Sequence, residues 1–216
     1  MKMQPYQQEF IEYAINAGVL QFGDFKLKSG RSSPYFFNTG LFNTGRQLSR
    51  LGYFYANALI HSKLQTDMLY GPAYKGIPLV SAAAIALAEH FDIDIPFCFN
   101  RKEAKDHGEG GNLVGAPLSD SVLILDDVIT AGTSVRESVS IIERAGARPC
   151  GVLIALDRQE QSQNSLSAVS QVSSEFGIPV YSVISLKNII EYLNTDDKFR
   201  QQVQTIVDYR QAYGDS

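Results

Sequence analysis

The apolar positions of the chain fall into two periods, and the switches between them mark out its elements. Near the N-terminus Phe10, Ile11, Ala14 and Ile15 recur at helical spacing, and Gly18 supplies a stop. A hairpin-like stretch follows: FKLK, a turn from Ser29 to Pro34, then YFFN. Leu48, Leu51, Tyr55, Ala58 and Leu59 mark another amphipathic helix. Beyond it, short apolar runs alternate with helical segments. The runs at Met68–Tyr70, Ile95–Phe99, Val122–Leu125, Gly151–Leu156 and Val180–Ile184 predict strands; 76–90, 134–145, 165–176 and 186–194 predict helices. Phe199, Val203, Ile206 and Val207 predict a last helix. Apolar runs without polar alternation describe strands covered on both faces, so the pattern predicts an α/β fold, a parallel sheet flanked by helices. One long segment, 101–115 (RKEAKDHGEGGNLVG), shows no periodicity. No internal repeat or linker divides the chain, and a single domain over 1–216 is expected.

Composition narrows the classes. At 216 residues and 44% hydrophobic content, the chain can bury one sizeable core. A net charge of −4 speaks against a general nucleic-acid binder. Cys98 and Cys150, the two cysteines, sit alone in apolar strand-like segments and read as buried free thiols in a reducing compartment. The N-terminal MKMQPYQQEF has no apolar signal core, and the longest apolar stretch, 77–88, is too short to span a bilayer. A soluble, cytoplasmic protein without a membrane partner is expected.

Candidate chemistry collects where the predicted strands end, the edge at which open α/β sheets bind ligands. The strand at 68–70 runs into Gly71-Pro72-Ala73-Tyr74-Lys75-Gly76, and that at 95–99 into Asn100-Arg101-Lys102. Those at 122–125 and 151–156 run into Asp126-Asp127 and Asp157-Arg158. A carboxylate pair and several cations are thus delivered to one edge. Lys75 near a helix start opposes the helix dipole unless an anion lies there. Thr130, Ala131, Gly132, Thr133 and Ser134 allow a tight turn whose amides and hydroxyls surround a phosphate. Two carboxylates beside a phosphate need neutral donors, and vicinal sugar hydroxyls suit them. The combination describes a ribose 5-phosphate site; no Gly-x-x-x-x-Gly-Lys-Ser/Thr nucleotide loop is present.

With these residues assembled, the chain resembles the orotate phosphoribosyltransferases. LILDDVITAGTS resembles the phosphoribosyl pyrophosphate (PRPP) signature of type I phosphoribosyltransferases; FKLKSGRSSPYFFN, GPAYKGIPL, RKEAKDHGEGGNLVG and LDR resemble the narrower orotate-using group. The resemblance implies the type I fold with a small N-terminal hood containing a β-hairpin (about 1–45), a core (about 46–195), a C-terminal helix (about 196–213) and a mobile lid at 101–115. It implies transfer of ribose 5-phosphate from PRPP to orotate, with Mg²⁺ held mainly through pyrophosphate and ribose oxygens. Lys105, His107, Asp126 and Asp127 would be catalytic. PRPP would be bound by Lys26, Tyr74, Lys75, Arg101, Lys102, Lys105 and His107, by Asp126 and Asp127, and by the cradle Val128, Ile129, Thr130, Ala131, Gly132, Thr133 and Ser134. Orotate would meet Lys26, Phe36, Phe37, Thr130 and Arg158. Adjacent strand residues point to opposite faces, so at most one of the rings of Phe36 and Phe37 can stack on it. A cis peptide is implied at Ala73–Tyr74, as is a homodimer whose lid is shared across subunits. Other readings of the same residues are a phosphoribosyltransferase for another base, a non-catalytic PRPP sensor, and a phosphorylatable receiver-type domain.

Overall fold

The computed structural model describes residues 3–27, 30–105, 111–161 and 166–215, with 104, 105 and 111 described in their backbone only. Its centre is a six-stranded sheet in the order β5-β4-β3-β6-β7-β8. β3 (Met68–Gly71), β4 (Phe97–Lys105), β6 (Ser121–Leu125), β7 (Arg148–Asp157) and β8 (Val180–Ser185) are parallel, and β5 (Gly111–Gly115) is antiparallel at the edge. The uninterrupted apolar runs are explained by how each strand divides its side chains. Leu69, Leu123, Leu125, Leu153 and Ala155 enter one core cluster. Their neighbours Met68, Tyr70, Val122, Ile124, Val152 and Ile154 enter a second cluster on the opposite face.

The first cluster is covered by α1 (Pro5–Asn16), α2 (Gly45–Ser62), α3 (Gly76–Phe91), α6 (Leu186–Leu193) and α7 (Arg200–Tyr213). The second is covered by α4 (Thr133–Arg144) and α5 (Ala168–Phe176). α4 buries Val135, Ser138, Val139 and Ile142, spaced by three and four residues along one face. α2 starts at a capping box, in which the Thr44 hydroxyl accepts from the Gln47 amide at 3.3 Å and Gln47 Oε1 accepts from the Thr44 amide at 3.2 Å. No helix among the described residues is long and apolar enough to cross a membrane.

Two parts differ from the sequence expectation. The hairpin is longer than FKLK and YFFN: β1 (Leu20–Lys26) pairs with β2 (Ser32–Phe37) from Leu20↔Phe37 to Lys26↔Ser32, with an irregularity between Phe22 and Phe25. Gly23 and Asp24 fall at that irregularity and hide the period-two pattern. The segment 101–115, expected to lack a fixed element, has paired arms instead. β4 runs on to Lys105, opposite Gly111, and Cys98, Phe99 and Asn100 pair with Gly115, Val114 and Leu113. Antiparallel pairing with an edge satisfies the backbone even where side chains show no periodicity. Residues 106–110, with His107, lie outside the described residues. Both cysteines are free, Cys98 buried and Cys150 only partly so.

β3 and β6 are neighbours from which the chain moves outward in opposite directions, to β4 on one side and β7 on the other, which opens a crevice at their carboxyl ends. The turn after β3 is as tight as its glycines permit. A Cβ on Gly71 would overlap the Gly76 carbonyl, and one on Gly76 would overlap Pro72 and Gly71. Gly71→Ala is therefore expected to cost more than about 2 kcal/mol in urea denaturation. Gly45→Ala, where a Cβ meets open space at a helix start, should stay within about 0.5 kcal/mol of wild type. Equal costs for the two would contradict the packing.

Candidate active site

The crevice is a cavity of about 570 Å³ lined by Pro72–Lys75 from the loop after β3, by Lys102 of β4 and by residues 126–135 after β6. Its floor is the carboxylate doublet. Asp126 and Asp127 are each 8% exposed, a costly place for two charges unless their oxygens are hydrogen-bonded. All four oxygens are. Asp126 accepts from the Asp127 amide at 2.9 Å and from the Ser134 hydroxyl at 2.8 Å. Asp127 accepts from the Val128 amide at 2.8 Å through one oxygen. Through the other it accepts from the Thr39 hydroxyl at 3.0 Å and Lys75 Nζ at 2.5 Å. The main chain is fixed as well. Asp126 N donates to Leu153 O at 3.1 Å, Ala155 N to Asp127 O at 2.8 Å, and the buried Tyr55 hydroxyl to Asp126 O at 2.7 Å.

Burial pushes the Asp126 carboxyl from its usual 3.8 up to about 6, and the Asp127 charge adds to the rise. The Asp127 amide, the Ser134 hydroxyl and Lys75 pull it back.

The turn beyond the doublet is built for close approach. Gly132 has φ +72° at the start of α4, and a Cβ there would press on Val172 and Arg136. Arg136 Nη1 donates to Ala131 O at 2.7 Å, which pins the turn from outside. The first helical bond runs from Arg136 N to Gly132 O at 3.0 Å. The first-turn amides ahead of it therefore have no helical acceptor, and the helix dipole adds positive potential. Thr130, Ala131 and Thr133 are exposed at the mouth. Across the cavity the Ala73–Tyr74 peptide is cis, as the resemblance implies. Ala73 N donates to Asn100 Oδ1 at 2.8 Å, tying this loop to β4. Tyr74 is 66% exposed, with Lys102 Nζ 5.1 Å from its ring centre.

The remaining expected residues are placed less uniformly. Arg101 stands beside Lys102 but does not line the cavity, and its Nη1 is buried without a hydrogen-bond partner among the described residues. Such an unpaired donor calls for an acceptor. Lys105 ends β4, and its side chain, like His107, lies outside the described residues. Lys26, Phe36, Phe37 and Arg158 are not in the cavity lining either. Phe36 is 37% exposed and stacks on Phe25, whereas the Phe37 ring is buried against Phe10. The two rings do point to opposite faces, and Phe37 is core. Arg158 is engaged inside the protein by Glu160, Ser33 and the Tyr35 ring. Sequence reasoning missed Thr39, Tyr55, Asn100 and Glu160, all of which act through contacts between distant parts of the chain.

A crevice with a phosphate-sized turn on one wall, cations on the other and a carboxylate pair between them fits a sugar phosphate. The phosphoribosyl transferase domain family matches residues 47–183, which sets the class to which this fold and cradle belong. The chain is 58% identical to the orotate phosphoribosyltransferase of Pseudomonas syringae pv. tomato, over 98% of this chain and 100% of that one. It is 57% identical to that of Klebsiella pneumoniae with the same coverage. The crystal structure of the orotate phosphoribosyltransferase of Francisella tularensis matches with a TM-score of 0.86 at 45% identity, covering 95% of this chain and 99% of that one. The chain belongs to the orotate phosphoribosyltransferase family.

The raised Asp126 pKa has a consequence for stability. Between about pH 4 and 6 the folded protein keeps a proton that the unfolded chain has released, so Asp126 makes the fold less stable as pH rises through that window. From about pH 4.5 to about pH 7, wild type should lose about 2 kcal/mol of unfolding free energy relative to Asp126→Asn in urea titrations. Parallel pH profiles for the two proteins would contradict this.

Proposed function

We propose that the chain transfers ribose 5-phosphate from PRPP to N1 of orotate, releasing pyrophosphate and orotidine 5′-monophosphate for pyrimidine synthesis, with the crevice between β3 and β6 as its active site. The observation that carries this reading is the buried, fully hydrogen-bonded doublet Asp126–Asp127 facing the cations of the β3 and β4 ends across one cavity. Family membership supports the choice of orotate as acceptor.

Asp126 and Asp127 accept hydrogen bonds from the ribose hydroxyls, and residues 128–134 take the 5′-phosphate on their amides and hydroxyls. Tyr74, Lys75, Arg101 and Lys102 face the pyrophosphate, together with Lys105 and His107 of the lid. Breaking the bond from C1′ to the pyrophosphate oxygen leaves positive charge on the sugar and negative charge on the leaving group. The doublet offsets the first and the cations offset the second, an electrostatic task that needs no covalent intermediate. Lys75 reaches this role by leaving Asp127, whose oxygen then takes a ribose hydroxyl in its place.

Mg²⁺ fits as an ion carried by the substrate. Among the described residues no three His, Cys, Asp or Glu side chains converge to hold a metal. When bound with the substrate it would neutralise negative charge on the leaving group.

Orotate N1 forms the new bond to C1′ as its N–H proton passes to solvent, and the base needs positioning for this. Phe36 and the backbone of β2, including that of Phe37, bound the plane of the base, with Lys26, Thr130 and Arg158 as its polar contacts. The lid at 101–115 closes on pyrophosphate and shields PRPP from water, acting in the partner subunit's site of a homodimer. The paired arms of β4 and β5 support this reading, because they carry the segment beyond the sheet's carboxyl edge. The two free cysteines and the bacterial relatives favour the cytoplasm.

Pyrophosphate release measured with PRPP, Mg²⁺ and, in turn, orotate, uracil and hypoxanthine tests this reading. Turnover is expected with orotate, and with the other bases at below about a hundredth of its rate, since Lys26 and Arg158 would be left without their anionic partner. Turnover with uracil or hypoxanthine but not orotate would overturn the choice of base, and tight nucleic-acid binding without turnover would point to a regulator.

A further inference from the structure

The loop after β7 carries a carboxylate that the reaction does not call for. Glu160 keeps only 12% of its side chain exposed, unusual for a glutamate unless it is paired. Its Oε1 accepts from the Tyr35 hydroxyl at 2.8 Å and from Arg158 twice, through Nε at 3.0 Å and Nη2 at 2.7 Å. Its Oε2 lies 3.8 Å from Arg31 Nη1. Arg158 is held further by Ser33 Oγ, which accepts from Nη2 at 3.2 Å, and by the Tyr35 ring, whose centre lies 4.3 Å from the guanidinium carbon. One edge and one face of the guanidinium are thus occupied, while its Nη1 makes no hydrogen bond to a described residue. Two guanidiniums against one carboxylate leave the cluster net positive, as an anionic ligand requires. The loop backbone is clamped too: Gln161 N donates to Tyr213 O and Asp215 N to Gln159 O, each at 2.8 Å.

We propose that Glu160 is a positioning residue for base recognition: with Tyr35 it fixes the Arg158 guanidinium in one orientation and leaves the Nη1 edge for the anionic base. The inference rests on the reading that Arg158 contacts orotate, and it assigns the residue that makes the contact specific. An unrestrained arginine loses its rotamer freedom when it binds a ligand, whereas here that loss is met during folding. Arg158 remains fully charged in this setting. Burial works against its charge, but the Glu160 carboxylate that faces it and accepts its hydrogen bonds prevails and raises its pKa.

The test is steady-state kinetics with orotate and PRPP varied separately, on wild type, Glu160→Gln, Tyr35→Phe, Arg158→Ala and the Arg158→Ala/Glu160→Gln double variant, with melting temperatures alongside. Tyr35→Phe keeps the ring under Arg158 and removes only the hydroxyl that Glu160 accepts from, so it decides the matter if Glu160→Gln does not fold. The inference expects both single variants to raise KM for orotate at least threefold with KM for PRPP within twofold, and Glu160→Gln to add nothing once Arg158 is alanine. If Arg158→Ala raises KM for orotate while Glu160→Gln and Tyr35→Phe leave it within twofold, the inference is overturned and the role of Arg158 stands. If Arg158→Ala leaves KM for orotate unchanged, that role fails and the inference falls with it. Parallel rises in both KM values with a lowered melting temperature would reduce Glu160 to a structural ion pair and equally overturn the proposal.

Discussion

Placing two adjacent carboxylates at the buried end of a central strand is the constraint from which the site follows. Neither can be left unpaired at that depth, and their partners come from four separate parts of the chain. Ser134 belongs to α4, Lys75 to the loop after β3, Thr39 to the segment after the hairpin, and the amides to the doublet's own turn. The doublet can be satisfied only where sheet, hood and α4 meet, so the same contacts that stabilise it also assemble the cavity. Tyr55, from a helix far away in sequence, locks the Asp126 carbonyl and with it the direction of the turn.

Charge in the cavity is balanced so that it can be exchanged. Lys75 is 55% exposed on its side chain against 11% for Asp127, so the ammonium can leave into water, provided that another donor takes its place on the buried carboxylate. A sugar hydroxyl can replace the ammonium on Asp127, and the ammonium can turn to a more highly charged anion. The chain is acidic overall, yet Lys75 and Lys102 both line this cavity. Positive side chains gathered at a cleft on an acidic protein create a local field that favours an anionic ligand there.

Much of this arrangement is legible in the sequence because it rests on local pattern. The apolar runs identify the parallel strands and both covered faces, and the strand ends identify Lys75, the doublet and the turn after it. What is hidden depends on pairing across the fold. β5 has no period of its own and exists because β4 offers an edge. Gly23 and Asp24 interrupt the alternation of β1 at a point that only its register with β2 explains. Phe36 and Phe37 look alike in the chain, and only the position of α1, which brings Phe10 against Phe37, makes one of them core. Thr39 and Asp127 are 88 positions apart, and Tyr35 and Glu160 are 125 apart. No spacing rule reaches so far, and isolated Thr, Tyr and Glu residues carry no motif.

A crystal structure of the protein with PRPP bound is the most direct measurement. It should show both ribose hydroxyls within hydrogen-bond reach of Asp126 and Asp127, the 5′-phosphate on the turn at 130–134, and Lys75 moved from Asp127 to the pyrophosphate. A ribose bound away from the doublet, with Lys75 still on Asp127, would contradict the account.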